Sequence, residues 1–326
     1  MLNVPGATRP RDGAATTVTR AAASRLIAPL FRVRIAVLAA LSTATGYLVL
    51  RPELSLRLGV ACAGVLLLAA GASALNQWQE REIDARMART RTRPLPSGRL
   101  MPRPALAIAC VLVTCGALVL TICGPRAVGL GLTAVLAYNA VYTPLKRVTA
   151  FAAVPGSLVG VIPPAIGWTV AGGASDDPRL LALAFFLFVW QVPHFWLLLL
   201  SRADEYAAAG LPSLAGTLGP RALRRVAFVW MATAALAAPL LSWFGLTRSP
   251  WTALALLLAA GWLLGEAVSL VEPEATQPPP FRAINVFACA VMALLIADAL
   301  CTSSMAAHIN DGRSTHPQDV RGAPAR

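Results

Sequence analysis

One short stretch of the chain concentrates side chains that could bind a metal ion and phosphate groups. It reads NQWQEREIDARMARTRTRPLPSG, residues 76–98, and directly follows a nearly uncharged apolar segment. If a helix continues through it, Asn76, Glu80 and Asp84 project along one face, because residues four apart are neighbours on a helix surface. Glu82 points away from that face. Carboxylate and amide oxygens suit Mg²⁺, which keeps few protein ligands and completes its shell with water and substrate phosphates.

The same stretch supplies a row of arginines beyond the acidic face. The planar guanidinium of arginine matches phosphate geometry. Pro94, Pro96 and Gly98 end the helix and bend the chain, which could bring Arg89 or Arg93 back over the metal. The pattern therefore predicts a magnesium–diphosphate site at the end of an apolar helix. The alternative is that the arginines only orient the chain in a membrane while the acids balance their charge; the spacing of four favours the site.

A second segment, YNAVYTPLKR at residues 138–147, ends another apolar run. Tyr138, Tyr142 and Lys146 share a face at spacing four. Tyr142 could donate to a phosphate oxygen, and Lys146 supplies a compact positive charge. The alternative interpretation is an aromatic belt with a lysine that snorkels to the membrane interface.

A third segment, WQVPHFWLLLLSRADEY at residues 190–206, ends in a charged group formed by Arg202, Asp204 and Glu205. These acids offer a second carboxylate site facing the first. His194 is the only histidine inside any predicted span, and Gln191 and Trp196 lie near it. Polar groups at membrane depth usually face the bundle interior and are often functional. A packed histidine that bonds to a neighbouring helix is an equal alternative.

Membrane helices must position these groups. Hydrophobic residues make up 57% of the chain, charged residues only 13%, and the mean hydropathy is +0.64. A soluble domain carries about 25% charged residues, and a spanning helix needs about 20 mostly apolar ones. Candidate spans lie at 32–50, 58–79, 104–123, 127–143, 151–172, 180–200, 224–245, 251–270 and 284–304. We predict an all-α polytopic membrane protein, a bundle of nine transmembrane helices around a central cavity.

The distribution of positive charge predicts orientation. The net charge of +13 would suggest nucleic acid in a soluble chain, but here the basic residues lie in short loops, so no nucleic-acid partner is expected. Most of the 28 Lys and Arg residues precede the first span or follow even-numbered spans. The N-terminus and these loops are therefore predicted to face the cytoplasm.

Three regions follow from this distribution of residues. Residues 1–28 are predicted to form a disordered basic tail, with a mitochondrial transit peptide as the alternative. Residues 29–305 form the membrane domain, and residues 306–326 a second disordered tail. We expect the bacterial cytoplasmic membrane, or alternatively the mitochondrial inner membrane.

Together the three motifs resemble the UbiA-type intramembrane prenyltransferase superfamily, and within it the branch that farnesylates protoheme IX. Asn76, Glu80 and Asp84 match the superfamily's first acidic motif. Residues 87–95, YTPLKR at 142–147, PPxxGW at 163–168 and WQxPHF at 190–195 match elements of the heme branch. The chain departs from the pattern where Glu80 replaces an aspartate common in relatives and where Gly-Leu-Pro-Ser at 210–213 replaces Gly-x-Pro-Met.

The resemblance implies Mg²⁺-dependent transfer of farnesyl from farnesyl diphosphate to a vinyl group of protoheme IX, giving heme O. It implies that the metal is held by Asn76, Glu80 and Asp84, with Asp204 or Glu205 opposite. Lys146 joins Asn76, Glu80 and Asp84 as a catalytic residue. The diphosphate would be bound by Arg89, Arg93, Tyr142, Arg147 and Arg202, and the acceptor by Trp190, Gln191 and His194. The expected partners are the lipid bilayer and other membrane enzymes of the heme pathway.

Three alternatives remain open at this level. A member of the superfamily could prenylate an aromatic acid or quinone precursor instead of protoheme. A transporter could also use nine spans, although transporters commonly show internal repeats and broken helices near the membrane midplane. No repeat is visible here, and the charges gather at one end. A catalytically inactive member could act in cofactor assembly.

Overall fold

The computed structural model describes residues 28–212, 214–272 and 280–314, and every regular element in these ranges is a helix. Nine of the described helices are long and apolar enough to cross a membrane, which confirms the predicted number. They are α1 (Val33–Leu50), α2 (Leu56–Arg86), α3 (Pro102–Thr121), α4 (Pro125–Leu145), α5 (Ala150–Val170), α6 (Pro178–Leu200), α7 (Pro220–Trp243), α8 (Pro250–Val268) and α9 (Phe281–Ser314). Three short helices, Ala28–Phe31, Ala203–Ala208 and Leu214–Leu218, lie between or before them.

Proline marks where many of these helices begin. A proline occupies the first helical residue of α3, α4, α6, α7 and α8. The first turn of a helix has no internal partner for its N–H groups, so a residue without an N–H costs nothing there and its fixed φ favours the helix. Asp177 before α6 and Ser249 before α8 add side-chain caps by accepting from the backbone N–H groups of Arg179 and Trp251.

Two spans are irregular near the polar end of the bundle. In α4, residues Ala137–Tyr142 form a π-helical segment, and in α5 3₁₀ turns occur at Ala150–Ala152 and Leu158–Val161. Pro155 and Pro163 lie in α5, where a proline removes a backbone donor and disturbs the regular hydrogen-bond pattern. π-Helical segments are frequent at functional sites, and this one carries the tyrosines of the second motif.

Small residues allow the helices to approach closely. A Cβ atom added to Gly167 of α5 would overlap the carbonyl oxygen of Thr43 in α1, and one added to Gly46 would overlap Pro164. Close backbone approach at small residues is the usual basis of helix packing in membranes. One core cluster consists mainly of residues from α1–α5 and a second mainly of residues from α6–α9. Helix α9 packs against α1 and closes the bundle.

A buried acid holds the opposite end of the bundle together. Asp298 of α9 accepts hydrogen bonds from the backbone N–H groups of Arg248 (2.7 Å) and Ser249 (2.9 Å) and from the hydroxyl of Thr252 (2.8 Å). The Arg248 side chain in turn donates to the carbonyl of Val49 at the end of α1 (2.9 Å). Asp298 therefore ties α9 to the start of α8, which is a structural role.

The outer surface of the bundle is apolar, as lipid contact requires. Trp251, for example, is 77% exposed, and Val111 and Leu258 are also exposed. The chain is therefore an integral membrane protein. Residues 1–27 and 315–326, which contain most of the two predicted tails, lie outside the described residues. Helix α9 continues to Ser314, beyond the boundary predicted at residue 305.

Candidate active site

Helix α2 carries the first motif beyond the apolar part of the bundle. It has 31 residues and is therefore about 46 Å long at about 1.5 Å per residue, whereas the hydrocarbon core of a bilayer is about 30 Å thick. Asn76, Glu80 and Asp84 are all buried on its inner face. Glu82 has a side chain that is 78% exposed. The spacing of four thus separates the inward acids from the outward one.

Glu80 forms a buried polar cluster with the end of α4. Its Oε2 atom accepts from Lys146 Nζ at 2.6 Å and from Asn76 Nδ2 at 3.1 Å. Asn76 Nδ2 also contacts the hydroxyl of Thr143 at 3.0 Å. Thr143 was not among the residues predicted for the site, although it lies inside the YTPLKR element. The first and second motifs are therefore joined directly by side-chain contacts.

Asp84 is paired with the arginine that the turn after α2 brings back. Arg93 Nη1 lies 2.7 Å from Asp84 Oδ2, and the Thr90 hydroxyl donates to the Asp84 carbonyl at 2.8 Å. Burial lowers the pKa of Arg93, nearby Arg32 lowers it further, and Asp84 opposes both effects. Since one carboxylate does not offset its desolvation, this guanidinium would gain from a bound anion.

Two oxygens in this cluster have no donor. Asn76 Oδ1 and Glu80 Oε1 are buried and lack a hydrogen-bond partner among the described residues. Buried acceptors without a partner are rare and costly, and a bound cation would satisfy both. The described residues contain no group of three or more His, Cys, Asp or Glu side chains placed to hold a metal. A site with few protein oxygens fits Mg²⁺, which takes its remaining ligands from water and phosphate.

The third motif supplies a second charged cluster. Glu205 Oε2 lies 3.7 Å from Arg89 Nε and 4.0 Å from Arg202 Nη1. Of the two predicted acids, Glu205 faces the loop after α2, whereas Asp204 is exposed. Burial lowers the pKa of Arg89, as does the positive charge of Arg202, whereas Glu205 raises it. The loops after α2 and α6 thus meet through opposite charges.

A small cavity of about 40 Å³ lies beside both clusters, lined by Tyr142, Lys146, Phe195 and Tyr206 among others. The Tyr142 ring stacks on Tyr138 (5.7 Å between ring centroids) and on Phe195 (5.8 Å), and Lys146 Nζ lies 5.4 Å from its centre. Burial raises the pKa of the Tyr206 phenol above its ordinary value. The cavity therefore combines one ammonium and two phenols with an aromatic wall.

Arg147 takes a different place from its neighbour Lys146. It is exposed, and its Nη2 atom donates to the carbonyl of Gln79 at 2.7 Å. This contact links α2 to the end of α4, and Arg147 does not line the cavity.

The predicted acceptor residues lie where α6 meets α5 and α9. Trp190 Nε1 donates to the carbonyl of Ile284 at 2.8 Å, and His194 Nδ1 lies 2.7 Å from Asn285 Oδ1. A Cβ atom on Gly160 of α5 would overlap Gln191 Oε1. Asn285 was not predicted as a site residue, because in the sequence it is an ordinary amide residue in the first turns of an apolar span.

Carboxylates, cations and phenols gathered at one end of a polytopic bundle are typical of the active site of a membrane enzyme. The chain belongs to the UbiA prenyltransferase family, whose sequence profile matches residues 17–304, and it is a prenyltransferase. It is 46% identical over 264 residues to a protoheme IX farnesyltransferase of Geobacter sulfurreducens, and the aligned region covers 79% of this chain and 93% of the relative. It is 36% identical to the protoheme IX farnesyltransferase of Oleidesulfovibrio alaskensis over 86% of this chain and 99% of the relative.

Solved structures share the fold at low sequence identity. A UbiA homolog from Aeropyrum pernix has a TM-score of 0.68 at 18% identity, with 83% of this chain and 99% of that chain covered. A UbiA homolog from Archaeoglobus fulgidus bound to GPP and Mg²⁺ has a TM-score of 0.63 at 15% identity, with 86% and 99% covered. These similarities establish a common bundle architecture.

Proposed function

We propose that this prenyltransferase transfers a farnesyl group from farnesyl diphosphate to a vinyl group of protoheme IX, giving heme O. The observation that carries the proposal is the buried cluster of Asn76, Glu80 and Lys146, with its two unpartnered oxygens, at the polar end of a membrane bundle. The acceptor is supported by relatives named protoheme IX farnesyltransferase that align over nearly their full length.

The carboxylate cluster is the proposed metal site. Asn76, Glu80 and Asp84 would hold Mg²⁺ through side-chain oxygens, and Glu205, which lies near the loop after α2, would supply a metal-binding carboxylate from the opposite side. Bound Mg²⁺ would neutralise charge on the diphosphate and so improve it as a leaving group. The Archaeoglobus fulgidus homolog that binds GPP and Mg²⁺ supports metal-dependent prenyl transfer in this fold.

The chain's own cations would stabilise the departing charge. Lys146 and Arg93 are held beside carboxylates, and diphosphate oxygens would offer them further acceptors. Arg89, Arg202 and Tyr142 would complete the anion site, and Arg147 would act mainly by joining α2 to α4. Preorganised donors aimed at developing charge are usually the largest single contribution to catalysis.

The reaction balances without an oxidant or reductant. The C–O bond of farnesyl diphosphate breaks and its electron pair leaves with the diphosphate. The π electrons of the vinyl group form the new C–C bond, and water then adds to the resulting cation and loses a proton. The aromatic wall of Tyr142 and Phe195 would keep other water away from the allylic carbon until that bond has formed.

Orientation and location follow from charge. We infer that the N-terminus and the loops after α2, α4, α6 and α8 face the cytoplasm, since these segments carry most of the Lys and Arg residues. The proposed site then opens to the cytoplasmic side of a bacterial inner membrane. Other heme-pathway enzymes in that membrane are the proposed partners.

Purified protein supplied with farnesyl diphosphate, protoheme and MgCl₂ is expected to form heme O, detected by mass spectrometry, and to stop when EDTA is added. Asp84→Asn should lower the rate by about 10²-fold or more, because it removes a charge that helps to hold the metal. Glu82→Gln is the matched control, since it alters an exposed acid on the same helix. Equal rate losses in the two variants would contradict the assignment, and prenylation of a hydroxybenzoate instead of protoheme would support the quinone-precursor alternative. Failure to release diphosphate with either acceptor would overturn the enzyme assignment.

A further inference from the structure

The contact between α6 and α9 determines which nitrogen of His194 carries a proton. Asn285 Nδ2 donates to the carbonyl of Phe281 at 2.5 Å. A main-chain carbonyl only accepts, so the atom facing it must be the amide NH₂. The other amide atom, Oδ1, therefore faces His194 Nδ1 at 2.7 Å. Since an amide oxygen can only accept, Nδ1 of the histidine must be the N–H donor.

This assignment leaves Nε2 of His194 with a free lone pair. A neutral imidazole has one donor and one acceptor nitrogen, so Nε2 is the acceptor when Nδ1 carries the proton. Among the described residues, the bond to Asn285 is the one hydrogen bond that His194 makes. The residue is half-buried, so the ring is not sealed inside the core.

Neighbouring contacts fix the orientation of the imidazole. Its centroid lies 5.3 Å from that of Trp190 and 5.0 Å from that of Phe281. Trp190, one turn before His194 on α6, is itself held by its bond to the carbonyl of Ile284. Two consecutive residues of α9, Ile284 and Asn285, thus hold two residues of α6. The direction of the Nε2 lone pair is therefore set by the packing of the two helices.

The same ring is connected to the diphosphate cavity through aromatic contacts. The centroids of His194 and Phe195 are 5.5 Å apart, and Phe195 in turn stacks on Tyr142 and lines the cavity with Lys146. A planar aromatic substrate held at His194 would therefore lie next to the site proposed for the allylic diphosphate.

We propose that Nε2 of His194 is an axial ligand of the protoheme iron and that Asn285 is the positioning residue that fixes its tautomer. The inference rests on the proposed function, because it takes protoheme as the acceptor. Metal-binding histidines almost always donate their other N–H to an oxygen acceptor that orients the ring, and histidine is a common iron ligand in heme proteins. The indole of Trp190 and the ring of Phe281 offer flat apolar surfaces beside it for a porphyrin.

The test is a titration of the purified full-length protein in detergent micelles with ferric protoheme, without farnesyl diphosphate, followed by visible absorption. Wild type is expected to show a saturable Soret shift typical of histidine ligation. His194→Ala should lose that shift, and added imidazole should restore it. Asn285→Leu should weaken protoheme affinity by about 10–100-fold, whereas Asn285→Asp, which still accepts from Nδ1–H but loses the bond to the Phe281 carbonyl, should weaken it less. His308→Ala is the matched histidine control and should leave the spectrum unchanged.

Each outcome decides the inference separately from the proposed function. An unchanged Soret shift in His194→Ala overturns the ligand assignment, even if the wild type still makes heme O. A lost shift that imidazole fails to restore also counts against it. Equal affinities of Asn285→Leu and wild type overturn the positioning role. If wild type shows the histidine spectrum but makes no heme O, the proposed function fails and the ligand assignment stands. Should His194→Ala not fold, His194→Gln answers the same question.

Discussion

The pair formed by Glu80 and Lys146 allows a quantitative test of how the site is arranged before substrate binds. The two charged atoms are 2.6 Å apart, and the side chains are 7% and 23% exposed. Two unit charges at about 4 Å attract by about 4 kcal/mol at the effective dielectric constant of protein sites. Lys146→Met removes the cation and leaves a buried carboxylate beside Asn76, which should cost about 3–5 kcal/mol. Glu80→Gln should cost less, since the partly exposed ammonium can reach water.

The assay is a double-mutant cycle on the free energy of unfolding, measured by SDS titration in mixed micelles with tryptophan fluorescence as the signal. The double variant should be more stable than the sum of the single effects predicts, by about 2–3 kcal/mol, because it leaves no unpaired charge. The exposed pair Arg81–Glu82, with side chains 35% and 78% exposed, is the control. Its coupling should stay below about 1 kcal/mol.

Additivity of Glu80→Gln and Lys146→Met within about 0.5 kcal/mol would refute the reasoning. The two side chains would then not share a low-dielectric site in the folded protein. A coupling no larger than that of the exposed pair would have the same meaning. Either result would also remove the physical basis for treating the cluster as a preorganised anion and metal site.

Two further predictions concern the scaffold, both measured by the same SDS titration. Gly167→Ala should destabilise the bundle by about 1–3 kcal/mol, because the added methyl group overlaps the carbonyl of Thr43. Gly129→Ala is the control and should have no such cost, because there is open space around Gly129. Equal effects of the two substitutions would contradict the close contact between α1 and α5. Asp298→Leu should cost about 2–3 kcal/mol or more, because it leaves buried donors unpaired, whereas Thr252→Val removes one of those bonds and should cost about 1 kcal/mol. Similar losses in these two variants would show that Asp298 does not hold the start of α8.

Several parts of the site could be predicted from sequence because they depend on local periodicity. Asn76, Glu80 and Asp84 are one helical turn apart, so a continuing helix puts them on one face wherever it packs. The return of Arg93 toward Asp84 agrees with the prediction, but its predicted cause is wrong: α2 ends at Arg86, and turns over residues 87–93 reverse the chain before Pro94 is reached. The same local reasoning separated Glu82 from the inward acids.

Other parts could not be predicted, because they depend on which helices become neighbours. Thr143 joins the cluster only because α4 packs against α2, and its contact with Asn76 spans many residues of sequence. Asn285 reads as an ordinary polar residue until α9 is placed beside His194. Arg89 pairs with Glu205, and the adjacent Asp204 is not its partner. This likewise depends on the orientation of the short helix Ala203–Ala208.

The sequence by itself determined that the described part of the chain has nine helices long and apolar enough to cross a membrane and that its charges gather at one end. The length of an apolar segment and the charge of its flanking loops are properties of one helix at a time, so they can be recognised in the sequence without knowledge of the fold. Only the tertiary structure decided which cation neutralises which carboxylate and which nitrogen of His194 is free. Those outcomes depend on atoms a few ångströms apart on different helices, because a hydrogen bond forms only at short range and in a narrow geometry, and the strongest ion pair is the one whose charges are in direct contact.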